Sequence, residues 1–434
     1  MRTFIWSPEE IVSVRLRLLF IAPAMPARGG NGLAMRLGLF LEGLARVADI
    51  DLVILPISGP VNEVSPLCVS LGIRPTVIPA NRADDTHFRL IMGLPDADAR
   101  RRAFAAYGRP SLAAFLTVPA IAALRRHIEG RHYDGVHLSR SYLLPLLDVW
   151  PGHDRSFISV DLDEDDVTTL QRISGLHRVR GEEERALWDE LEAAAFDRLL
   201  RRCLPLVSMA FISSSHEKGK IESRQPEIKI EVIPNGVSIP PGIHGVRTNA
   251  SNSNLLFVGG FGYLPNLDAA LWLTQTIWPR LIERTPSGLV LTLVGSGAPA
   301  SLQNAACSEG IELAGAAADL QPFYRRATLA LVPIRAGGGT RLKILEAAAH
   351  LVPVVSTTAG AEGLELRDGQ HLWIGDGDAG FTQACLAALS RPDERRRRAE
   401  VAAEIVESLY NRERIAAGLG DRMAAALNQS VRNV

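Results

Sequence analysis

A chain of 434 residues is too long to close around one core and suits two domains; with 47% apolar and 22% charged residues it has a globular composition. A formal charge of −1 excludes the cationic surplus of a nucleic-acid-binding chain. The cysteines Cys68, Cys203, Cys307 and Cys385 are scattered without a CxxC pair, which excludes a thiolate metal site and indicates reduced thiols in a cytoplasmic protein.

Taken in chain order, residues 1–13 read as an N-terminal extension. The apolar run from Ile11 to Met25 is interrupted by Arg15 and Arg17 and falls short of the ~20 residues of a membrane helix. It reads better as a first buried strand over 16–22. A Gly29-Gly30-Asn31-Gly32 turn then opens a helix to about Val47. Strands follow at 50–57 and 76–79, and the stretch 81–110, which carries Asp, Arg, Gly and Pro irregularly, reads as a variable insertion. A helix over 112–129 precedes strands at 134–139 and 156–160, a long charged helix over 180–202, and a strand at 206–213.

Residues 234–253 are rich in Pro, Gly, Asn and Ser, the composition of a linker. A second series then begins, with strands at 255–258, 289–294, 311–314, 328–332 and 352–356. Its helices follow Pro265-Asn266, run from an Asp319 cap to 326, and span 340–350; two more, at about 393–409 and 411–427, close the chain. Strand–helix alternation of this kind implies parallel sheets. The fold class is therefore α/β, with two Rossmann-like βα domains, 14–233 and 254–408, facing a cleft. Ligands of such sheets sit beyond the carboxyl ends of the strands.

The most informative run is Pro333-Ile-Arg-Ala-Gly337-Gly338-Gly339-Thr340-Arg341-Leu-Lys343-Ile-Leu-Glu346. A strand enters a triple-glycine turn and a helix leaves it, exposing unpaired N–H groups and a partial positive charge. Arg341 and Lys343 oppose that macrodipole at roughly 0.3–1 kcal/mol each, so they suit an anion held at the turn, most simply a phosphate. Lys343 is one of the chain's few lysines, with Lys218, Lys220 and Lys229. Lys343 and Glu346 share a helix face, with Leu342 and Leu345 turned to the core. The cation suits a diphosphate and the carboxylate suits ribose hydroxyls. An ordinary exposed ion pair, worth only ~0.2–0.5 kcal/mol, explains neither the glycines nor Arg341.

These residues, with Phe257-Val-Gly-Gly260, Tyr263-Leu-Pro-Asn266, Val294-Gly-Ser-Gly297 and Val354-Val-Ser-Thr-Thr358-Ala-Gly360, resemble the group 1 (family 4) retaining glycosyltransferases of GT-B fold. The similarity is dense over 254–375 and thinner upstream, at Gly29–Gly32, Ser213–His216 and Ile233–Val237. It implies a nucleotide-diphosphate sugar as donor, with no essential metal or other cofactor. It also implies a C-terminal helix within 409–434 crossing back to the first domain. The hydroxyl acceptor is a sugar, a lipid-linked group or another hydroxyl compound, on the side of the first domain, and a peripheral hold on the inner face of a membrane accords with relatives that use lipid-linked acceptors. On this reading Gly30, Gly260, Gly337, Gly338, Gly339, Thr340, Glu346, Thr358 and Gly360 bind the donor. Arg341 and Lys343 meet the charge of the leaving nucleoside diphosphate.

One departure from the family pattern stands out. Many members carry two glutamates eight positions apart; counting back from Glu346 gives Gly338. The ribose-side glutamate is present and its partner near the sugar is absent. The Arg and Lys that other members place after the first strand of the donor domain are likewise missing from Gly259-Gly-Phe-Gly-Tyr263.

Gly295-Ser-Gly297-Ala-Pro-Ala300, with Glu312 downstream, imitates a dinucleotide fingerprint, but a complete glycine turn precedes it in the same series. Asp161 and Asp163 form an Asp-x-Asp triplet assigned to the acceptor side, with metal binding ranked last. His137 is a candidate catalytic group facing the acceptor, against the commoner fate of a strand histidine in the core. Arg100–Arg102 and Arg395–Arg398 read as solvated helix faces. Two alternatives to transfer stay open: a sugar-nucleotide epimerase of the same architecture, and a non-catalytic sugar-nucleotide-binding subunit.

Overall fold

The computed structural model describes residues 15–149, 157–241, 253–285, 288–339 and 341–432. The N-terminal extension, most of the linker and Thr340 lie outside the described residues. Two parallel sheets organise the rest. In the first, β1 (Leu16–Ala22), β2 (Ala48–Ile54), β3 (Thr76–Val77), β4 (Gly135–Ser139), β5 (Phe157–Asp163), β6 (Met209–Ile212) and β7 (Ile230–Val232) lie in the order β3-β2-β1-β4-β5-β6-β7. In the second, β8 (Ser253–Val258), β9 (Leu289–Val294), β10 (Ile311–Gly315), β11 (Leu329–Val332), β12 (Val354–Ser356) and β13 (Trp373–Ile374) lie in the order β10-β9-β8-β11-β12-β13.

Strands such as β1 are near-continuous apolar runs because helices cover both faces of a parallel sheet. The first sheet accordingly carries two cores, one around Leu19, Ile21, Val136 and Ile158, the other around Leu18, Phe20, Phe40 and Phe211. The second has a single core that includes Leu255, Leu291, Leu331 and Val355. In each sheet the winding direction reverses beside the first strand, between β1 and β4 and between β8 and β11. That reversal opens a crevice at the strand ends. The turns after β1, β8 and β11 are the glycine turns of the sequence, so all three edge this crevice.

The final helix, Arg412–Arg432, returns to the first domain and packs on the Gly32–Ala45 helix. Leu419, Met423 and Leu427 enter the core that holds Leu37, Phe40 and Leu44. The two helices touch through small residues: a Cβ on Gly43 would lie 2.8 Å from the Ala416 carbonyl oxygen, and one on Gly420 2.8 Å from that of Gly43. Arg412 pins the crossing, donating to Glu42 at 2.7 Å and to the Met35 carbonyl at 3.0 Å.

Three expectations need correction. The stretch 81–110, to which the sequence assigns no element, holds two helices: Asp85 and Asp96 cap Thr86–Met92 and Ala97–Tyr107, accepting from Phe88 and Ala99 N–H groups. Their Phe88 and Phe104 gather with Trp188 in a satellite core, which outweighs the polar composition. The charged helix stands close to its expected span, at Glu183–Cys203, but a separate helix, Asp166–Val179, to which the sequence assigns no element, precedes it, parted by Gly181 at φ 74°. Arg398 is not solvated: its guanidinium stacks 3.9 Å from the Trp373 ring and donates to the Leu372 carbonyl. Among the described residues no helix is long and apolar enough to cross a membrane.

Candidate active site

The crevices of the two sheets face each other across a cavity of about 1080 Å³ lined from both sides. Gly30, Asn31 and Gly32 contribute from the first domain; Gly260, Gly338, Gly339, Arg341, Lys343 and Glu346 from the second. Gly30 (φ 99°) has open space where a side chain would begin, so its backbone is bare to the cavity. Asn31 caps the helix that follows, accepting from Ala34 N–H at 2.9 Å.

Gly337 and Gly339 adopt left-handed backbone, at φ 110° and 70°, which explains those two glycines. Arg341 occupies the N-cap of the Leu342–Ala349 helix and turns its guanidinium back onto the Gly338 carbonyl. Its Nε is buried without a hydrogen-bond partner. Lys343 donates to Asn266 Oδ1 at 2.8 Å and lies 4.7 Å from the Phe257 ring centre. Burial, reinforced by the nearby Arg341 charge and opposed by Glu346, pulls the Lys343 ammonium down to about 7. Glu346 accepts from the Tyr324 hydroxyl at 3.2 Å, and burial pushes its carboxyl up. Lys343 and Glu346 therefore line one wall with separate partners instead of forming the bland ion pair. Leu342, expected in the core, instead lines the cavity; Leu345 is fully buried.

Several expected site residues lie elsewhere. His137 is fully buried in β4, stacked on Phe40 with Nδ1 2.9 Å from Ser159 Oγ. Burial, then the charge of Arg36, drives it down to about 3, so it is a neutral core residue with no path to an acceptor. Asp161 is equally enclosed, taking a bidentate pair from Arg36 at 2.7 and 2.9 Å. Asp163 alone of the triplet reaches the cavity, held by Arg140 at 3.1 Å. Thr358 is exposed outside the cavity and bonds Asp376. Gly360 is a packing glycine, because a Cβ there would lie 2.4 Å from Ser356 Oγ. Gly295 is too: its Cβ would meet the Gly259 carbonyl oxygen at 1.9 Å, and Glu312 lies exposed on edge strand β10, away from the cavity lining. Glu312 therefore does not serve the fingerprint as its acidic partner.

Arg140, which the sequence did not single out, completes the wall beside Asp163. Arg140 (φ 82°) and Asp163 (φ 64°) are non-glycine residues in left-handed backbone at adjacent strand ends, a strained arrangement typical of working sites. Arg140 bonds Asp163, Glu164 and Asp166, and these carboxylates hold it protonated against its burial. The Asp166–Val179 helix bridges the two domains. Arg172 donates to both oxygens of Glu362 and, at 3.2 Å, to the Gly337 carbonyl. Lys220 (3.4 Å) and His216 (3.0 Å) also meet Glu362. Burial alone would raise the Glu362 carboxyl, but the Arg172 hydrogen bonds and the Lys220, Arg172 and His216 charges bring it down to about 2. His216, Glu217 and Glu362 lie close enough to share a metal ion, yet the two carboxylates already serve Arg172 and Lys220.

The sequence model of the group 1 glycosyl transferases matches residues 252–391. A Klebsiella pneumoniae relative, an uncharacterized 44.6 kDa protein in the cps region, is 30% identical over 140 residues, covering 30% of this chain and 36% of the relative. The sucrose-phosphate synthase of Thermosynechococcus elongatus superposes with a TM-score of 0.64 at 16% identity, over 96% of this chain and all (100%) of that one. Anabaena Alr3699/HepE, in complex with UDP and glucose, superposes with a TM-score of 0.61 at 13% identity, over 94% of this chain and 99% of that one. Similarity at such identities establishes the fold, and the family match establishes the second domain. The chain has the two-domain GT-B fold, and its residues 252–391 are similar to the group 1 glycosyl transferases.

Proposed function

We propose that this protein is a retaining glycosyltransferase that moves a sugar from a nucleotide-diphosphate sugar to a hydroxyl acceptor in cytoplasmic polysaccharide or glycoconjugate synthesis. One observation carries the reading: Arg341 and Lys343 stand with bare glycine backbone in a two-domain cavity, and among the described residues neither bonds an anionic side chain. As the glycosidic bond breaks, negative charge grows on the leaving diphosphate. Preorganised cations and N–H groups that meet this charge supply what is commonly the largest catalytic contribution. Glu346, one turn deeper, accepts from ribose hydroxyls. UDP in the complex of the Anabaena neighbour and the cps-region setting of the Klebsiella relative are consistent with this reading.

With no carboxylate of this chain assigned as nucleophile, same-face attack is proposed, the acceptor's proton passing to the departing phosphate. The test is incubation with a panel of nucleotide sugars, with and without hydroxyl acceptors, read by mass. Transfer with release of nucleoside diphosphate is expected. Free or isomerised sugar without acceptor would indicate the epimerase, and donor bound but unconsumed the binding subunit. Lys343→Ala should lower kcat/KM by roughly ten- to hundredfold, the value of a charge-assisted hydrogen bond. Unchanged donor affinity and turnover would remove the turn from the mechanism.

A further inference from the structure

Gly338 is the middle member of the triple glycine, and its backbone does not explain it. Gly337 and Gly339 are left-handed; Gly338 is not, so any residue could adopt its conformation. What excludes a side chain there is the opposite domain. A Cβ on Gly338 would lie 2.0 Å from Thr169 Oγ1 and 2.5 Å from Glu164 Oε2. The space that a side chain at 338 would fill is thus already filled, from across the cleft, by a carboxylate and the hydroxyl that holds it.

Glu164 is fixed for this position. Thr169 donates to its Oε2 at 3.0 Å, and Arg140 donates to its Oε1 at 3.1 Å. Its Cβ lies 3.6 Å from the Cβ position of Gly339, so the side chain lies along the glycine turn. It lines the same cavity as Arg341, whose buried Nε is unpartnered. The chemistry then divides along the cavity. A fixed carboxylate repels phosphate and accepts hydrogen bonds from hydroxyls. The anionic end of the ligand belongs with Arg341 and Lys343, and its neutral, hydroxyl-bearing end with Glu164.

We infer that Glu164, supplied by the first domain, contacts the hydroxyls of the transferred sugar and stands in for the carboxylate that the turn lacks at Gly338. The inference rests on the donor reading above and deepens it: the sugar is recognised by a group that reaches the turn only when the domains face each other. Nucleoside diphosphate binding is then a property of the second domain, and sugar recognition a property of the pair.

The experiment is calorimetric titration of the full chain with ADP, CDP, GDP, UDP and dTDP and with their glucose and N-acetylglucosamine conjugates. Wild type is compared with the near-isosteric Glu164→Gln and, should that variant fail to fold, with Glu164→Asp. For the base that wild type prefers, Glu164→Gln should weaken the sugar conjugate by roughly ten- to hundredfold. Affinity for the free diphosphate should stay within about twofold, because that end touches other residues. Equal affinity of wild type and variant for the sugar conjugate would overturn the inference. So would parallel loss of both ligands with a lowered Tm, which marks a role in domain spacing alone. Failure of wild type to bind any nucleoside diphosphate would instead strike the donor reading itself.

Discussion

At the scale of single residues the site turns on Lys343. Its amine, lowered to about 7, is only half charged near neutrality in the free protein. A bound diphosphate favours the ammonium and raises its pKa, so binding takes up a proton. Affinity for a nucleotide sugar, whose phosphates do not titrate in this range, should therefore be greatest below pH 7. It should fall as pH rises through 7, by at most about tenfold per unit. Calorimetry between pH 6 and 9 checks this, and a flat profile would contradict it. Lys343→Met should also raise the thermal stability of the free protein, by roughly 0.5–2 kcal/mol, as strained functional groups commonly do when removed. The places of Arg341, Lys343 and Glu346 on the cavity wall were legible, because a cation in the first turn of a helix opposes the macrodipole and needs another reason to be there. His137 and Asp161 were not, since the spelling of a strand is the same whether a polar side chain meets a ligand or a buried partner. The partners, Ser159 and Arg36, are 22 and 125 residues away.

Among the elements, the Asp166–Val179 helix is the one that bridges the two domains beside the cavity. It carries Thr169 to the glycine turn and Arg172 to Glu362, joining the domains on one side of the cleft. The Glu362 carboxyl sits below its ordinary range, so this contact contributes stability above about pH 4.5 that is lost as pH falls toward 2. Arg172→Ala should open the cleft at neutral pH. Small-angle scattering should show a larger radius of gyration, and the urea midpoint should drop by the equivalent of roughly 1–2 kcal/mol. An unchanged profile and midpoint would show that the domains are held otherwise. Strands were legible in the apolar runs, but this helix was not. Its sequence, from Asp166 through Gln171 and Arg172, is polar because its outer face serves the other domain, and periodicity cannot see a partner that lies 165 residues on. The helices at 86–107 were masked in the same way, by a polar surface over a small aromatic core.

Across the whole molecule, two sheets with reversed winding at matching places put three glycine turns around one space, and the last helix ties the second domain back to the first. That tie rests on the apolar side chains Leu419, Met423 and Leu427 and on two glycines. Leu419→Ala should cost roughly 2–5 kcal/mol, seen as an earlier denaturation midpoint for the first domain. An unshifted midpoint would mean that the helix is peripheral. The two-domain architecture was readable because strand–helix alternation restarts after a Pro- and Gly-rich break, but the cross-cleft contacts emerge only once both halves are folded and facing. Everything functional depends on where a diphosphate lies, and the most direct measurement is a crystal structure with the best-binding nucleoside diphosphate. The account predicts its phosphates within hydrogen-bonding distance of Lys343 and of the backbone of the 337–339 turn, with the ribose against Glu346. A diphosphate bound in some other part of the molecule, with that turn left bare, would contradict it.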